Sequence, residues 1–375
     1  MDQTVEKLLN IDNCRELAQF CGLPEPIQSA LRAAITSHRD NVQIHQLLQN
    51  CLDNIDQSRK SHALIGWPDA ESNPLHALVY CLLLLDLAGR MRCHYRQLRI
   101  DPGITRQTVM AKVATPIKQF WETNGVIGAR SDVFNYLDWY LGPMPNVRLG
   151  TFSYEARPWG GFARVFKSRK SGQLKLLAEH GDYFDEDGRR MQSDMDCTGC
   201  FCATLDLNDV IRGYPICPQG LRTNQIQELD PDEWRMVLQK GDPVLQMHIP
   251  FDTDLSLSAC RESFLAAINF YQNHFPEYGA TFFACGSWIH SPDLRKIISP
   301  PSNLLKLQDA VYLMQNAADC QSYKYIFGFS EFHPQTAPRS TRLQRGLLNY
   351  LEQENIFHKC AMILPFSEVE GLAVR

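Results

Sequence analysis

Val244-Leu245-Gln246-Met247-His248-Ile249, a helical segment from Ser258 to His274, and Thr281-Phe282-Phe283-Ala284-Cys285-Gly286-Ser287 together form the stretch that decides the fold. The two flanking runs are short, apolar and rich in branched and aromatic residues, which is the composition of a buried strand. The helix between them carries the chain back to its starting end, so the two strands run parallel. Their carboxyl ends then share one rim, and ligands of open sheets bind beyond such a rim. Here the rim carries His248-Ile249-Pro250 and Cys285-Gly286-Ser287-Trp288.

These residue types suit chemistry at that place. A histidine exchanges a proton near neutral pH, cysteine and serine serve as nucleophile or donor, and a glycine lets a ligand approach the backbone. Each also has a structural explanation: His248 as a satisfied core histidine, Cys285 as a buried strand residue, Ser287 as the cap of the next helix.

Outward from this core, Pro292 to Ile298 reads as a helix, Thr341 to Glu354 as another, and Lys324 to Phe329 and Ala361 to Pro365 as late strands. Upstream, alternation over Val147 to Glu155, then Phe162 to Phe166 and Leu174 to Ala178, predicts an antiparallel meander. Cys202 to Leu207 reads as a further strand and Pro231 to Leu238 as a short helix. The cluster Gly142-Pro143-Met144-Pro145 stops any helix, and the domain boundary is placed there, giving domains 1–143 and 144–375.

Before that boundary the spacing is helical. Ile44, Leu47, Leu48, Cys51, Leu52 and Ile55 fall along one stripe, and Asn73-Pro74 opens a helix from Leu75 to Leu98 whose first half is apolar all round. Ile104 to Trp121 continues helically with Pro116 kinking or splitting it, and Val133 to Leu141 adds a short helix. The fold class is therefore α+β, an all-helical amino-terminal domain followed by a mixed sheet domain.

Composition narrows the function. Lys plus Arg is 37 against 42 for Asp plus Glu, a net charge of −5, opposite in sign to a nucleic-acid footprint. The longest apolar run, Ala77 to Leu85, breaks at Asp86, short of the roughly 20 residues of a membrane span, so no membrane insertion is expected. MDQTVEKLLN lacks signal-peptide character, and the odd count of 13 cysteines suits a reducing compartment, so a cytoplasmic location is expected.

Other chemistries find little support. Cys197, Cys200 and Cys202 form a C-x-x-C-x-C cluster with Cys217 more distant, but no second C-x-x-C completes a zinc site and nothing selects His290 or His333 as ligands. A loop of reduced thiols is the expectation, with no metal. No G-x-S-x-G, G-x-G-x-x-G or Walker loop is present. Arg164, Lys167, Arg169, Lys170 and Lys175 on one hairpin, with Arg189 and Arg190 in the next loop, form a basic set that can hold phosphates, but a solvated strand face near acidic Asp182, Asp185, Glu186 and Asp187 is the reading preferred.

Several ordered segments carry a resemblance. Leu149-Gly150-Thr151-Phe152-Ser153-Tyr154-Glu155, Gly213-Tyr214-Pro215-Ile216-Cys217-Pro218-Gln219-Gly220, Gly241-Asp242-Pro243-Val244-Leu245 with His248-Ile249-Pro250, Cys285-Gly286-Ser287-Trp288 and Ser340-Thr341-Arg342-Leu343-Gln344-Arg345 follow one another along the chain. Together they resemble the bacterial acyltransferase-domain proteins that join a helical N-acyltransferase amino-terminal domain to a GNAT-like carboxyl-terminal domain, over nearly the whole chain. The resemblance implies a GNAT-type sheet with acyl-CoA, as co-substrate, between two splayed parallel strands, here Val244 to Ile249 and Thr281 to Ser287. It also implies a phosphate seat where the central helix opens, with Ser256 and Ser258 as candidates. Phe251-Asp252-Thr253-Asp254-Leu255-Ser256 departs from the family's glycine-rich loop, and its two carboxylates oppose an anion there.

The expected activity is acyl transfer to a small-molecule amine or hydroxyl acceptor. His248 is the candidate base, Ser287 or a backbone N–H the oxyanion donor, and Glu155, Trp288 and Pro250 the acceptor-shaping residues. Cys285 offers a covalent acyl-cysteine variant. Two other readings stay open: a catalytically inactive GNAT-shaped ligand-sensing or partner-binding protein, and a cysteine-dependent hydrolase.

Overall fold

A computed structural model describes residues 3–57, 73–131, 134, 137–191, 198–250, 253–318, 322–327 and 333–373. The chain divides into two units, the first comprising Met1–Leu149, Ser153–Glu155 and Asn269–Pro276 and the second the remainder.

The first unit is built on helices α1 (Gln3–Leu8), α2 (Ile11–Phe20), α3 (Glu25–His38), α4 (Val42–Gln57), α5 (Pro74–Gln97), α6 (Pro102–Val109), α7 (Thr115–Asn124) and α8 (Leu137–Leu141). Asn73 caps α5 by accepting the Leu75 N–H at 2.9 Å, and Pro74 sits in the first turn, where its missing donor is no loss. The run Ala77 to Leu85 is buried throughout, and α5 packs against α2, α4, α6 and α8. By length and composition it is the one described helix apolar enough to cross a membrane, with mean hydropathy 1.3, yet 67% of that window is buried within the protein. An all-round apolar helix is what the centre of a bundle requires.

Pro116 splits the next helix. α6 gives way to one π-turn, Met110–Ala114, and α7 restarts with Pro116 in its first turn. The first unit then runs past residue 143 to Leu149, because Tyr95 Oη donates to the Asn146 carbonyl at 3.1 Å and the Arg148 N–H donates to Thr108 Oγ1 at 2.9 Å.

The strands follow in the order β1 (Val147–Leu149), β2 (Phe152–Pro158), β3 (Arg164–Ser168), β4 (Leu174–Leu177), β5 (Tyr183–Phe184), β6 (Phe201–Cys202), β7 (Leu205–Asp206), β8 (Ile211–Gly213), β9 (Gln227–Leu229), β10 (Trp234–Leu238), β11 (Pro243–His248), β12 (Phe282–Ser287), β13 (Tyr312–Ala318) and β14 (His358–Pro365). Helix α9 (Leu257–His274) joins β11 to β12, and α10 (Leu294–Ile297), α11 (Asn303–Asp309), α12 (Tyr323–Phe327) and α13 (Arg342–Glu352) lie further along. A six-stranded sheet has the order β1-β2-β11-β12-β14-β13, and β10-β3-β4 form a separate three-stranded sheet. The strand, helix, strand reading holds: β11 and β12 pair in parallel.

Alternation along the strands gives the large sheet two faces. Val244, Phe282, Ala284, Met314, Ala361 and Ile363 share a core with Val165, Leu176 and Leu238 of the small sheet. On the other face Phe283 stacks on Phe264 of α9 and on Phe366, both with ring centroids 4.6 Å apart.

Four expectations are corrected. Pro231 to Leu238 is not a helix: Trp234–Leu238 is strand β10, drawn into an antiparallel ladder that sets Met236 opposite Phe166. Lys324 to Phe329 is not a strand, for Tyr323–Phe327 is helix α12 packed by Ile326 and Phe327 into a helical cluster, and Phe329 lies outside the described residues. The late strand is instead β13. The meander breaks up, since β3 and β4 leave the sheet of β1 and β2 to pair with each other and β10, and Cys202 to Leu207 is divided between β6 and β7 of two small sheets.

Candidate functional site

The pairing of β11 with β12 is short. It consists of Leu245 opposite Phe283 and Gln246 opposite Ala284, whereas β12 stays paired with β14 as far as Ser287 opposite Cys360. Among the described residues, the edge of β12 that faces β11 has no ladder partner from Cys285 onward, and the strands part toward their carboxyl ends. Backbone amides along such an opening are fixed donors waiting for a ligand.

The second unit brings His248, Pro250, Cys285, Ser287 and Trp288 to this rim. His248 is half-buried at the end of β11, on the face that carries Val244. Cys285 is buried on the opposite face, and burial pushes its thiol up to about 12, with Lys359 pulling weakly the other way. A thiol held protonated is a poor nucleophile, which counts against the acyl-cysteine variant and the cysteine hydrolase. Ser287 Oγ accepts the Ile289 N–H at 3.3 Å and so caps the 3-10 turn Trp288–His290, while its hydroxyl hydrogen is still able to point elsewhere.

Pro250 is half-buried and its carbonyl accepts from Thr253 Oγ1 at 2.6 Å. Trp288 is half-buried and packs against the helical cluster containing Leu294 and Leu347. Glu155 is buried in the first unit.

At the opening of α9, Ser256 is half-buried and Ser258 exposed. Asp254 accepts the Ser256 N–H at 2.8 Å and its hydroxyl at 3.0 Å, and the Ala259 N–H reaches Ser256 Oγ at 3.4 Å. A carboxylate thus stands beside the helix end that would hold a phosphate. Phe251 and Asp252 lie outside the described residues.

Sequence reasoning missed a second group at the rim. Asp293, buried, accepts from His358 Nδ1 at 2.9 Å, from the His358 backbone N–H at 3.0 Å, from Tyr350 Oη at 3.2 Å and from Ser291 Oγ at 3.4 Å. Burial alone would raise its pKa, and the bonds from His358 and Tyr350 instead hold it below the usual carboxylate value. The pair is 65 residues apart in sequence, so no spacing rule finds it.

The other candidates resolve simply. Arg164 pairs with Glu179, Lys170 with Glu233 and Arg190 with Asp182, and Lys175 lies over the Trp234 ring, so the basic hairpin spends these charges locally. Cys200 is disulfide-bonded, contrary to the expected loop of reduced thiols, Cys202 and Cys217 are free, and Cys197 lies outside the described residues. Among the described residues no group of three His, Cys, Asp or Glu is arranged to hold a metal ion.

The chain is similar in fold to the crystal structure of an acyltransferase mutant in complex with octanoyl-CoA, with a TM-score of 0.60 at 15% identity over 94% of this chain and 88% of that one. An acyltransferase in complex with decanoyl-CoA and teicoplanin gives 0.59 at 16% identity over 95% and 88%, and one in complex with decanoyl-CoA gives 0.58 at 16% over 94% and 88%. No curated protein matches. Residues 147–362 match the GNAT-like C-terminal domain, more than half of the chain, and the protein belongs to that family.

Proposed function

We propose that the protein is an acyl-CoA-dependent acyltransferase that moves an acyl group from the CoA thioester to an amine or hydroxyl of a small molecule. The observation that carries this reading is the parting of β11 and β12 after Gln246 and Ala284, with a histidine on one lip and open strand backbone on the other. Fold relatives crystallised with octanoyl-CoA and decanoyl-CoA make medium-chain donors the first to test, and the relative holding teicoplanin makes an acceptor larger than a single amino acid reasonable.

In this reading the acceptor attacks the thioester carbon directly. His248 takes the acceptor's proton, and a backbone N–H of the parted edge, or the Ser287 hydroxyl, stabilises the oxyanion. Ser256, Ser258 and the first amides of α9 face the donor's phosphates, and Pro250 and Trp288 shape the approach. The ligand-sensing alternative keeps one observation in its favour, the Asp254 carboxylate at the opening of α9.

The test is release of CoA from decanoyl-CoA with hydroxylamine as surrogate acceptor. His248→Ala should lower turnover by roughly a hundredfold or more with CoA affinity kept. An unchanged rate in folded variant protein would remove His248 from the chemistry.

A further inference from the structure

We infer that Asp293 and His358 form a second proton-transfer pair, with His358 Nε2 donating a proton to the CoA thiolate as it leaves and Asp293 positioning the imidazole. The inference rests on the acyl-transfer reading above and goes beyond it, because it assigns the leaving-group side of the reaction.

Position comes first. Cys360 is the ladder partner of Ser287, the last residue of β12, and His358 opens β14 two residues earlier, roughly 7 Å further along the strand. His358 therefore stands at the same carboxyl rim as the parted edge. By strand alternation His358 and Cys360 share the face of Ser287 and Cys285, while His248 shares the opposite face with Val244. A thioester lying between parted strands would have one histidine on each face of the sheet.

Chemistry follows from the bonding. Asp293 is held ionised by four donors, so His358 Nδ1 presents its hydrogen to that carboxylate, and Nε2 becomes the working nitrogen. To act as donor the ring carries a hydrogen on both nitrogens, the one on Nδ1 held by Asp293 and the one on Nε2 given to the leaving sulfur. The His358 side chain is 10% exposed.

The step balances. The acceptor's lone pair forms a bond to the acyl carbon and its proton passes to His248. The C–S bond breaks with its electrons on sulfur, and His358 Nε2 passes a proton to that sulfur, giving free CoA thiol. Loss of a proton from His248 to solvent and uptake of one by His358 restore the site.

A purely structural dyad and a proton donor respond differently to His358→Asn. Asparagine places an N–H close to where Nδ1 stood, keeping the bond to Asp293, and removes the proton at Nε2. The experiment follows decanoyl-CoA binding by calorimetry, CoA release with hydroxylamine, melting temperature, and labelling of His358 by diethyl pyrocarbonate mapped by mass spectrometry. The expected result is a melting temperature close to that of the unaltered chain, kcat lower by roughly a hundredfold at unchanged KM, and His358 labelling that decanoyl-CoA suppresses. Turnover within about threefold of the unaltered chain overturns the assignment. So does a His358 that stays unlabelled in the folded, unaltered protein, a readout that stands even where the variant fails to fold. Failure of the unaltered chain to bind decanoyl-CoA overturns the acyl-transfer reading itself, and the calorimetric trace tells that outcome from the other two.

Discussion

His290 closes the 3-10 turn after β12 with both ring nitrogens buried and no partner for either among the described residues. Burial lowers its pKa from 6.5 to about 4. The unfolded chain takes up a proton near pH 6.5 and the folded chain does not until about pH 4, so the unfolded state binds more protons across that window. Stability therefore falls as pH drops from about 6.5 to 4, by about 3 kcal/mol in all from this residue. His290→Met should remove that part of the slope in urea midpoints measured at pH 7.5 and pH 5, and an undiminished slope would contradict the account. At Asp254 the expected effect is on ligand affinity. Its carboxylate occupies donors at the opening of α9, so Asp254→Asn should tighten CoA binding roughly fivefold at low salt. Unchanged or weaker binding would place the diphosphate elsewhere. The rim residues His248, Cys285 and Ser287 were legible because a crossover helix fixes where two parallel strands end. Their roles were less so, since Ser287 as a cap and Cys285 as a buried thiol depend on neighbours that spacing does not reveal.

At the scale of elements, punctuation carried most of the information. Asn73-Pro74 starts α5, and Thr341 with Gln344 forms a reciprocal capping box that starts α13, so both helices were readable from a few residues. β10, α12 and β13 were not, because partners far along the chain decide them. Trp234–Leu238 becomes a strand only by pairing with β3, and Tyr312–Ala318 carries too much Ala and Asn to announce the strand that β14 recruits. The β1 to β2 turn shows a local requirement with a measurable cost. Gly150 sits at φ 64, and a Cβ there would stand 3.2 Å from Ser263 Cα of α9. Gly150→Ala should lower stability by about 2 kcal/mol in denaturant unfolding, and a loss under about 0.5 kcal/mol would show that the turn relaxes freely.

For the whole molecule, the α+β class and the parallel pair followed from hydrophobic period and chain punctuation, whereas the Asp293–His358 bond joins residues 65 positions apart that only the pairing of β12 with β14 brings near each other. Function narrows in the same way: the proposed donor site follows from the ends of β11 and β12, where their ladder stops at Gln246 and Ala284. In the proposed function acyl-CoA occupies the opening between β11 and β12. Gly286 offers a clean probe, because it is exposed on the open edge of β12 and a Cβ there would meet only Lys359 Cε at 3.9 Å. The most direct measurement is a calorimetric titration of the unaltered chain and of Gly286→Leu with decanoyl-CoA, beside their melting temperatures. The expected result is saturable micromolar binding that Gly286→Leu weakens at least about tenfold without loss of fold. Absence of binding by the folded, unaltered chain, or equal affinity in the two proteins, would contradict it.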